Sequence, residues 1–186
     1  MRIISGVLKG KTINFLKNAT TRPLKDSVRE NIFNIIKHSN LIKTKIENSN
    51  ILDLYSGIGS FGIESLSRNA KKVTFIEKEN NAATLLKANL IKLSLIKKSF
   101  IHEDTIENFL TNHLGEKFNI FFLDPPFNDK NFLLNLKSIK KNKIFKNNHL
   151  VIIHREKKVQ DNFEDVLDII KVKKYGRSKI IFGKFN

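Results

Sequence analysis

From residue 50 onward the chain alternates short apolar runs with amphipathic stretches, and few folds accommodate that order. Runs at 51–55, 72–77, 99–102, 119–124 and 149–154 are rich in β-branched and aromatic side chains and read as strands. Between them, 60–68, 79–93, 105–113 and 129–138 carry apolar residues at helical spacing, most clearly Leu85, Leu86, Leu90 and Leu93. Strand, helix, strand in repetition implies parallel strands joined by right-handed crossovers. Two further runs, 166–173 and 178–185, flank a tight turn at 175–177 and should pair antiparallel at one edge. The expectation is an α/β fold: a Rossmann-like, seven-stranded, mostly parallel sheet with an antiparallel edge hairpin.

Residues 1–49 read differently. Two short strands, 2–5 and 11–15, joined through Gly6 and Gly10, suggest a β-hairpin. After Thr21-Arg22-Pro23, Asp26 and the capping-box spacing of Ser27 and Glu30 mark a helix start, with Val28, Ile32, Ile35 and Ile36 on one face. That face should pack down and leave Arg22, Lys25 and Arg29 exposed. A lysine-rich connection at 37–49 follows. The chain thus divides into a basic N-terminal hairpin and helix appendage, 1–49, and a main domain, 50–186.

At 186 residues this is enough chain for one substantial core. There is no cysteine, and His38, His102, His113, His149 and His154 lack ligand spacing, so no metal is expected. No apolar run approaches the roughly 20 residues of a membrane span, so the protein is expected to be cytoplasmic. The net charge of +16 is unevenly spread. Residues 1–50 hold 10 basic against 3 acidic side chains, 51–129 hold 9 against 10, and 130–186 hold 15 against 5. A neutral centre between basic flanks points to a polyanionic partner such as nucleic acid.

The fourth strand ends abruptly in Leu123-Asp124-Pro125-Pro126-Phe127. Two consecutive prolines end the ladder and hold the residue before each of them extended, which fixes Asp124 and Pro125 at the C-terminal edge where open α/β sheets bind ligands. One carboxylate oxygen of Asp124 and the Pro125 carbonyl can accept the two hydrogens of a planar NH2 group, with Phe127 stacking on the attached ring. Holding both hydrogens aims the nitrogen lone pair at an electrophile and stabilises the positive charge that develops. Taken alone, the same residues also describe a strand-ending turn.

After the first strand, Asp53-Leu-Tyr-Ser-Gly57-Ile-Gly59-Ser-Phe-Gly62 opens a helix, the context a nucleotide-type loop requires. Asp53 could neutralise a cationic ligand group and is ill-suited to a phosphate. Glu77 ends the second strand where a carboxylate can accept from a ribose diol, and Asp104 could accept from an adenine amine. Ribose, adenine and a cationic tail fit S-adenosylmethionine better than NAD. Asp53 as a turn carboxylate and Asp104 as a helix N-cap are the plainer alternatives.

These residues carry a resemblance. The stretches 53–68, Val-Thr-Phe-Ile-Glu at 73–77 and Leu-Asp-Pro-Pro-Phe at 123–127 resemble the motifs of class I S-adenosylmethionine-dependent amino methyltransferases. More narrowly, Arg2-Ile-Ile-Ser-Gly6-Val-Leu-Lys-Gly10-Lys, Thr21-Arg22-Pro23 and Arg29-Glu-Asn-Ile-Phe33-Asn resemble the RsmD family of 16S rRNA guanine-N2 methyltransferases. The resemblance covers nearly the whole chain and is loose after Lys140. It implies methyl transfer from S-adenosylmethionine to one guanine N2 during small-subunit assembly, by a protein expected to be monomeric. Asp53, Tyr55, Ser56, Gly57, Gly59, Glu77, Lys78, Asp104 and Thr105 would hold the cofactor, and Asp124, Pro125, Pro126 and Phe127 the base. Arg2, Lys9, Lys11, Arg22, Lys25 and Arg29 would contact phosphates. A DNA adenine-N6 methyltransferase and a non-catalytic RNA-binding assembly factor remain as alternatives, because any conjugated amine suits the Asp124 chemistry.

Overall fold

Strands buried on both faces need helices on both sides, and the chain supplies them in order. A computed structural model describes residues 1–15, 24–112, 115–126, 128–129 and 131–186. Its strands are β1 (Asn50–Leu54), β2 (Lys72–Ile76), β3 (Ser99–His102), β4 (Phe118–Leu123), β5 (Phe145–Glu156), β6 (Leu167–Tyr175) and β7 (Ser178–Phe185). They form one sheet in the order β3-β2-β1-β4-β5-β7-β6. β1 to β5 run parallel, and β7 is antiparallel to both of its neighbours, which leaves β6 at the edge.

The helices are α1 (Asp26–His38), α2 (Ser60–Ser67), α3 (Asn80–Lys92), α4 (Ile106–Asn112) and α5 (Phe132–Asn142). Alternation along the strands sorts the core into two layers. Ile51, Ile120, Phe122, Leu150 and Ile152 pack beneath α1, α2 and α3, whereas Leu52, Leu54, Phe121, Leu123, Val151 and Ile153 face α4 and α5. The strand order reverses between β1 and β4, so the C-terminal ends of those two strands form the crevice where open α/β sheets take ligands.

The N-terminal segment shares the sheet's core and has none of its own. Ile3, Ile13, Val28, Ile32, Phe33 and Ile36 belong to the same cluster as Phe122, Ile180 and Phe182. Phe33 stacks on Phe61 at 5.1 Å, and Phe61 stacks on Phe122 at 4.1 Å. The expected hairpin is a ribbon with a single bridge, Arg2 to Thr12. Its tip rests on the end of α2, where Val7 N–H donates to Ser67 O at 2.8 Å and Leu8 N–H to Ser67 Oγ at 3.0 Å. Asn14 N–H donates to Asn89 Oδ1 at 2.9 Å, low on α3. The ribbon therefore lies over the C-terminal ends of α2 and α3.

Two expectations for α1 are corrected. No side chain caps its start: Lys25 occupies the N-cap position, and Ser27 and Glu30 lie inside the helix. Asp26 instead pairs with Arg29 at 2.9 Å. Arg29 is not an exposed phosphate contact but is fully buried. Its Nη2 donates to Arg2 O at 2.6 Å, and its Nε lies 3.9 Å from Glu64 Oε2. Burial lowers the guanidinium's affinity for its proton, and the Asp26 and Glu64 carboxylates work against that shift. Glu64, equally buried, also accepts from Ile4 N–H (2.8 Å), Ser5 N–H (3.0 Å) and Arg68 Nε (2.9 Å).

Candidate active site

The first wall of the crevice is the turn after β1. Tyr55 adopts a left-handed φ of 58°, uncommon for a large side chain, and lets the backbone swing from strand into loop. Its hydroxyl accepts from Asn135 Nδ2 at 3.2 Å, and burial pushes the phenol's pKa up. Ser56 N–H donates to Ile76 O at 3.0 Å and anchors the turn to β2. The glycines then do different work. At Gly57, with φ 53°, an added Cβ would meet nothing within 4 Å, so this one borders open space. At Gly59 the Cβ would strike Leu86 at 2.4 Å, and at Gly62 the Phe75 ring at 2.2 Å, so these two serve packing against α3 and β2.

Three carboxylates converge on this turn. Glu77 follows β2 and is held by two backbone amides, Gly57 N–H to Oε2 at 2.7 Å and Glu79 N–H to Oε1 at 2.8 Å. Asp53, on β1, accepts from Gly62 N–H at 2.9 Å, a bond from strand to helix that makes it the turn's brace. Burial pushes its pKa well above the ordinary 3.8; the Gly62 amide opposes this, and the charges of Asp124 and Glu77 add to it. Asp124 follows β4, whose register sets Leu123 beside Leu54, so it stands next to Tyr55 across the switch point. Its side chain is 27% exposed and therefore reaches the crevice. Among the described residues, every hydrogen-bond donor to these three carboxylates is a backbone amide or the His154 ring, and none is a lysine or arginine. The centre of the site is anionic among the described residues.

The Asp-Pro-Pro turn is fixed from β5. His154 Nδ1 lies 2.7 Å from Asp124 Oδ1, and Arg155 Nη1 donates to Pro126 O at 3.1 Å. Pro125 is buried and Pro126 exposed. The sequence does not signal His154 and Arg155: its apolar run stops at 154, whereas β5 continues to Glu156, and the pairing depends on a register that only the fold supplies.

The other expected residues scatter. Asp104 lies after β3, where its Oδ1 accepts from Thr105 N–H (2.7 Å) and Asn108 Nδ2 (2.9 Å). Thr105, not Asp104, caps α4, its Oγ1 accepting from Asn108 N–H at 3.2 Å. A groove of about 430 Å³ opens beside Asp104, lined by Lys72, Thr74, Phe100, His102 and Asn108. Neither the glycine turn nor Asp124 lines it, so the site is located by the carboxylates and not by that volume. Lys78 is exposed, as are Arg2, Lys9, Lys11 and Lys25. Arg22 and Phe127 lie outside the described residues. Beside the crevice, the exposed Lys157, Lys158, Lys173, Lys174 and Arg177 gather where β5 and β6 end, with Lys157 N–H donating to Arg177 O at 2.8 Å. Only the excess of basic residues after 130 signalled them in the sequence.

The family model described as Conserved hypothetical protein 95 matches residues 1–184. Ribosomal RNA small subunit methyltransferase D of Haemophilus influenzae is 33% identical over 159 residues, covering 84% of this chain and 79% of that protein. The chain belongs to this RsmD family of methyltransferases. The RsmD protein of Buchnera aphidicola subsp. Baizongia pistaciae is 36% identical over 156 residues, covering 84% of this chain and 76% of its own length. Among solved structures, yhhF from Escherichia coli superposes with a TM-score of 0.83 at 25% identity, covering 100% of this chain and 97% of that one. HI0767 from Haemophilus influenzae gives 0.78 at 28% identity, with 100% and 98% covered. The RsmD fold is thus a Rossmann-like class I methyltransferase sheet, as the strand order requires.

Proposed function

We propose that this chain uses S-adenosylmethionine to methylate the exocyclic N2 of a guanine in 16S rRNA, on an assembling small ribosomal subunit. The observation that carries this reading is the convergence of Asp53, Glu77 and Asp124 beside a glycine turn open at Gly57. A pyrophosphate would be repelled there, whereas a ligand with a ribose diol and a cationic sulfur suits both the donor set and the charge. S-adenosylmethionine supplies an electrophilic methyl group. Glu77, pinned by two amides, retains lone pairs for the ribose hydroxyls, while Asp104 and Thr105 border the adenine side. Asp124 and Glu77 give the field that favours the sulfonium, and a bound cation would draw Asp53, disfavoured as an anion by burial, toward its charged form.

Asp124 and the Pro125 carbonyl accept the two amine hydrogens and stabilise charge developing on nitrogen; the proton leaves after attack, so neither need be a strong base. Phe127 is assigned base stacking on sequence grounds. A guanine N2 within a helix is out of reach, so the target base is unpaired or flipped out. The rRNA substrate is supported by relatives named small subunit methyltransferase D and by the exposed cations flanking the crevice. The cations near β5 and β6 are the nearer phosphate contacts, with Arg2, Lys9 and Lys11 on the ribbon as distal ones and Lys25 beside Met1 and Phe15 at the ribbon's edge.

Incubation with labelled S-adenosylmethionine and undermodified 30S particles, followed by mass spectrometry of nucleosides, should yield N2-methylguanosine at one position. Asp124→Ala should lower turnover by roughly 100-fold or more, with cofactor binding unchanged by calorimetry. In a parallel incubation with DNA, label found there as N6-methyladenine and absent from the 30S particles would overturn the substrate, and absent cofactor binding would favour a non-catalytic assembly factor.

A further inference from the structure

β4 and β5 run parallel with Leu123 beside Ile153, so the next residue on each, Asp124 and His154, stand side by side. Alternation sends both toward the layer that holds α2, the side on which Asp53 meets Gly62. The 2.7 Å contact joins His154 Nδ1 to one oxygen only, Asp124 Oδ1. An ionised carboxylate has no hydrogen to give, so Nδ1 carries the proton and donates. Arg155 points to the opposite layer, stacked 4.4 Å from the Phe132 ring and gripped by Asp161 at 3.1 and 3.2 Å. From there it holds the Pro126 carbonyl. The two acceptors assigned to the amine, Asp124 and the Pro125 carbonyl, are thus bracketed by side chains from adjacent positions of one strand.

We propose that His154 is a positioning residue for Asp124: by occupying Oδ1 it fixes the carboxylate plane and leaves Oδ2 to receive the amine hydrogen. This rests on the function proposed above. A carboxylate's terminal torsion is broad and weakly restrained, so an unanchored Asp124 would sample planes that miss one hydrogen of the NH2 group. Two acceptors that must meet two hydrogens at once tolerate little misplacement, and an error of about 1 Å can cost on the order of 100-fold in rate.

The test compares His154→Leu, which cannot donate, with His154→Asn, whose amide nitrogen sits where Nδ1 does. The leucine variant should lose about 10- to 100-fold in kcat with the cofactor's Kd unchanged, and the asparagine variant should stay within about threefold of wild type. A leucine variant with wild-type kcat overturns the proposal. So does an asparagine variant as slow as leucine, because a donor without proton-accepting ability would then be insufficient and His154 would be moving a proton. A readout independent of activity is the 15N-detected tautomer of His154. It should be Nδ1–H in the wild type and revert to Nε2–H in Asp124→Ala; an unprotonated Nδ1 in the wild type also overturns the proposal. A wild-type protein that methylates no nucleic acid would sink the functional reading, and the positioning role with it, even if the tautomer showed the pair intact.

Discussion

Burial of Asp53 between Asp124 and Glu77 disfavours its ionisation in the folded state alone. The raised folded pKa means the native chain binds more protons than the unfolded one between the ordinary 3.8 and that raised value. The contribution to stability is therefore full below pH 3.8 and is lost as pH rises through the folded pKa. Asp53→Asn keeps an oxygen for Gly62 N–H and removes the titration. The variant should match wild type near pH 4 in urea unfolding, become progressively more stable than wild type toward pH 8, and bind S-adenosylmethionine more weakly. A stability difference that does not change with pH would show that Asp53 is not held against its charge. Strained or disfavoured groups of this kind gather at sites whose ligand relieves them. Asp53, Glu77 and Asp124 were legible because each ends or sits on a strand, Asp53 ahead of the glycine loop, Asp124 ahead of two prolines and Glu77 at the close of the next strand. His154 was not, since its partner lies 30 residues away on a neighbouring strand.

At the scale of elements, the Arg29–Glu64 network joins α1, α2 and the N-terminal ribbon. Arg29 lies in the i, i+3, i+4, i+7 series with Ile32, Phe33 and Ile36, all buried, so its central place on the packed face was available in the sequence. A face made of Val28, Ile32, Ile35 and Ile36 would leave Arg29 at its margin, open to solvent. What no spacing could reveal was Glu64, which joins Asp26 in offsetting burial of the guanidinium. Without Arg29, Glu64 keeps Arg68 and two backbone amides but loses one of its two counter-charges, and the Arg2 carbonyl loses its donor, which together cost about 2–3 kcal/mol. Arg29→Met should destabilise the protein by that amount in urea unfolding and speed amide exchange at Ile4 and Ser5, whose N–H groups Glu64 holds. A loss under about 1 kcal/mol would mean the ribbon docks through its apolar residues alone. The strands were readable to within a few residues because their pattern is strong. The helix expected from 129 begins at Phe132, because Asp129 N–H first turns back to Pro126 O.

Across the whole molecule, the sequence showed two basic flanks but not where folding would put them. The ribbon carrying Lys9 and Lys11 lies over the C-terminal ends of α2 and α3, about 12 Å of helix from the glycine turn at the rise of an α-helix. β5, by contrast, ends beside Asp124, and the β6–β7 turn closes against it through Glu156 and Ser178. Lys157, Lys158 and Arg177 therefore edge the crevice itself, where rRNA phosphates flanking an extruded base would pass. Each phosphate neutralised releases counterions, so affinity falls with salt with a slope of roughly 0.7 to 0.9 per contact. Replacing Lys157, Lys158 and Arg177 together by glutamine should weaken binding of undermodified 30S particles and reduce that slope by about 2. Folding should be unaffected, because all three side chains are exposed. Glutamine at Lys9 and Lys11 should change the slope by less than about 1. If the ribbon variant lost more affinity and more salt dependence than the rim variant, rRNA would be held chiefly from the far end of α2, and the target base would have to reach Asp124 across the layer of helices.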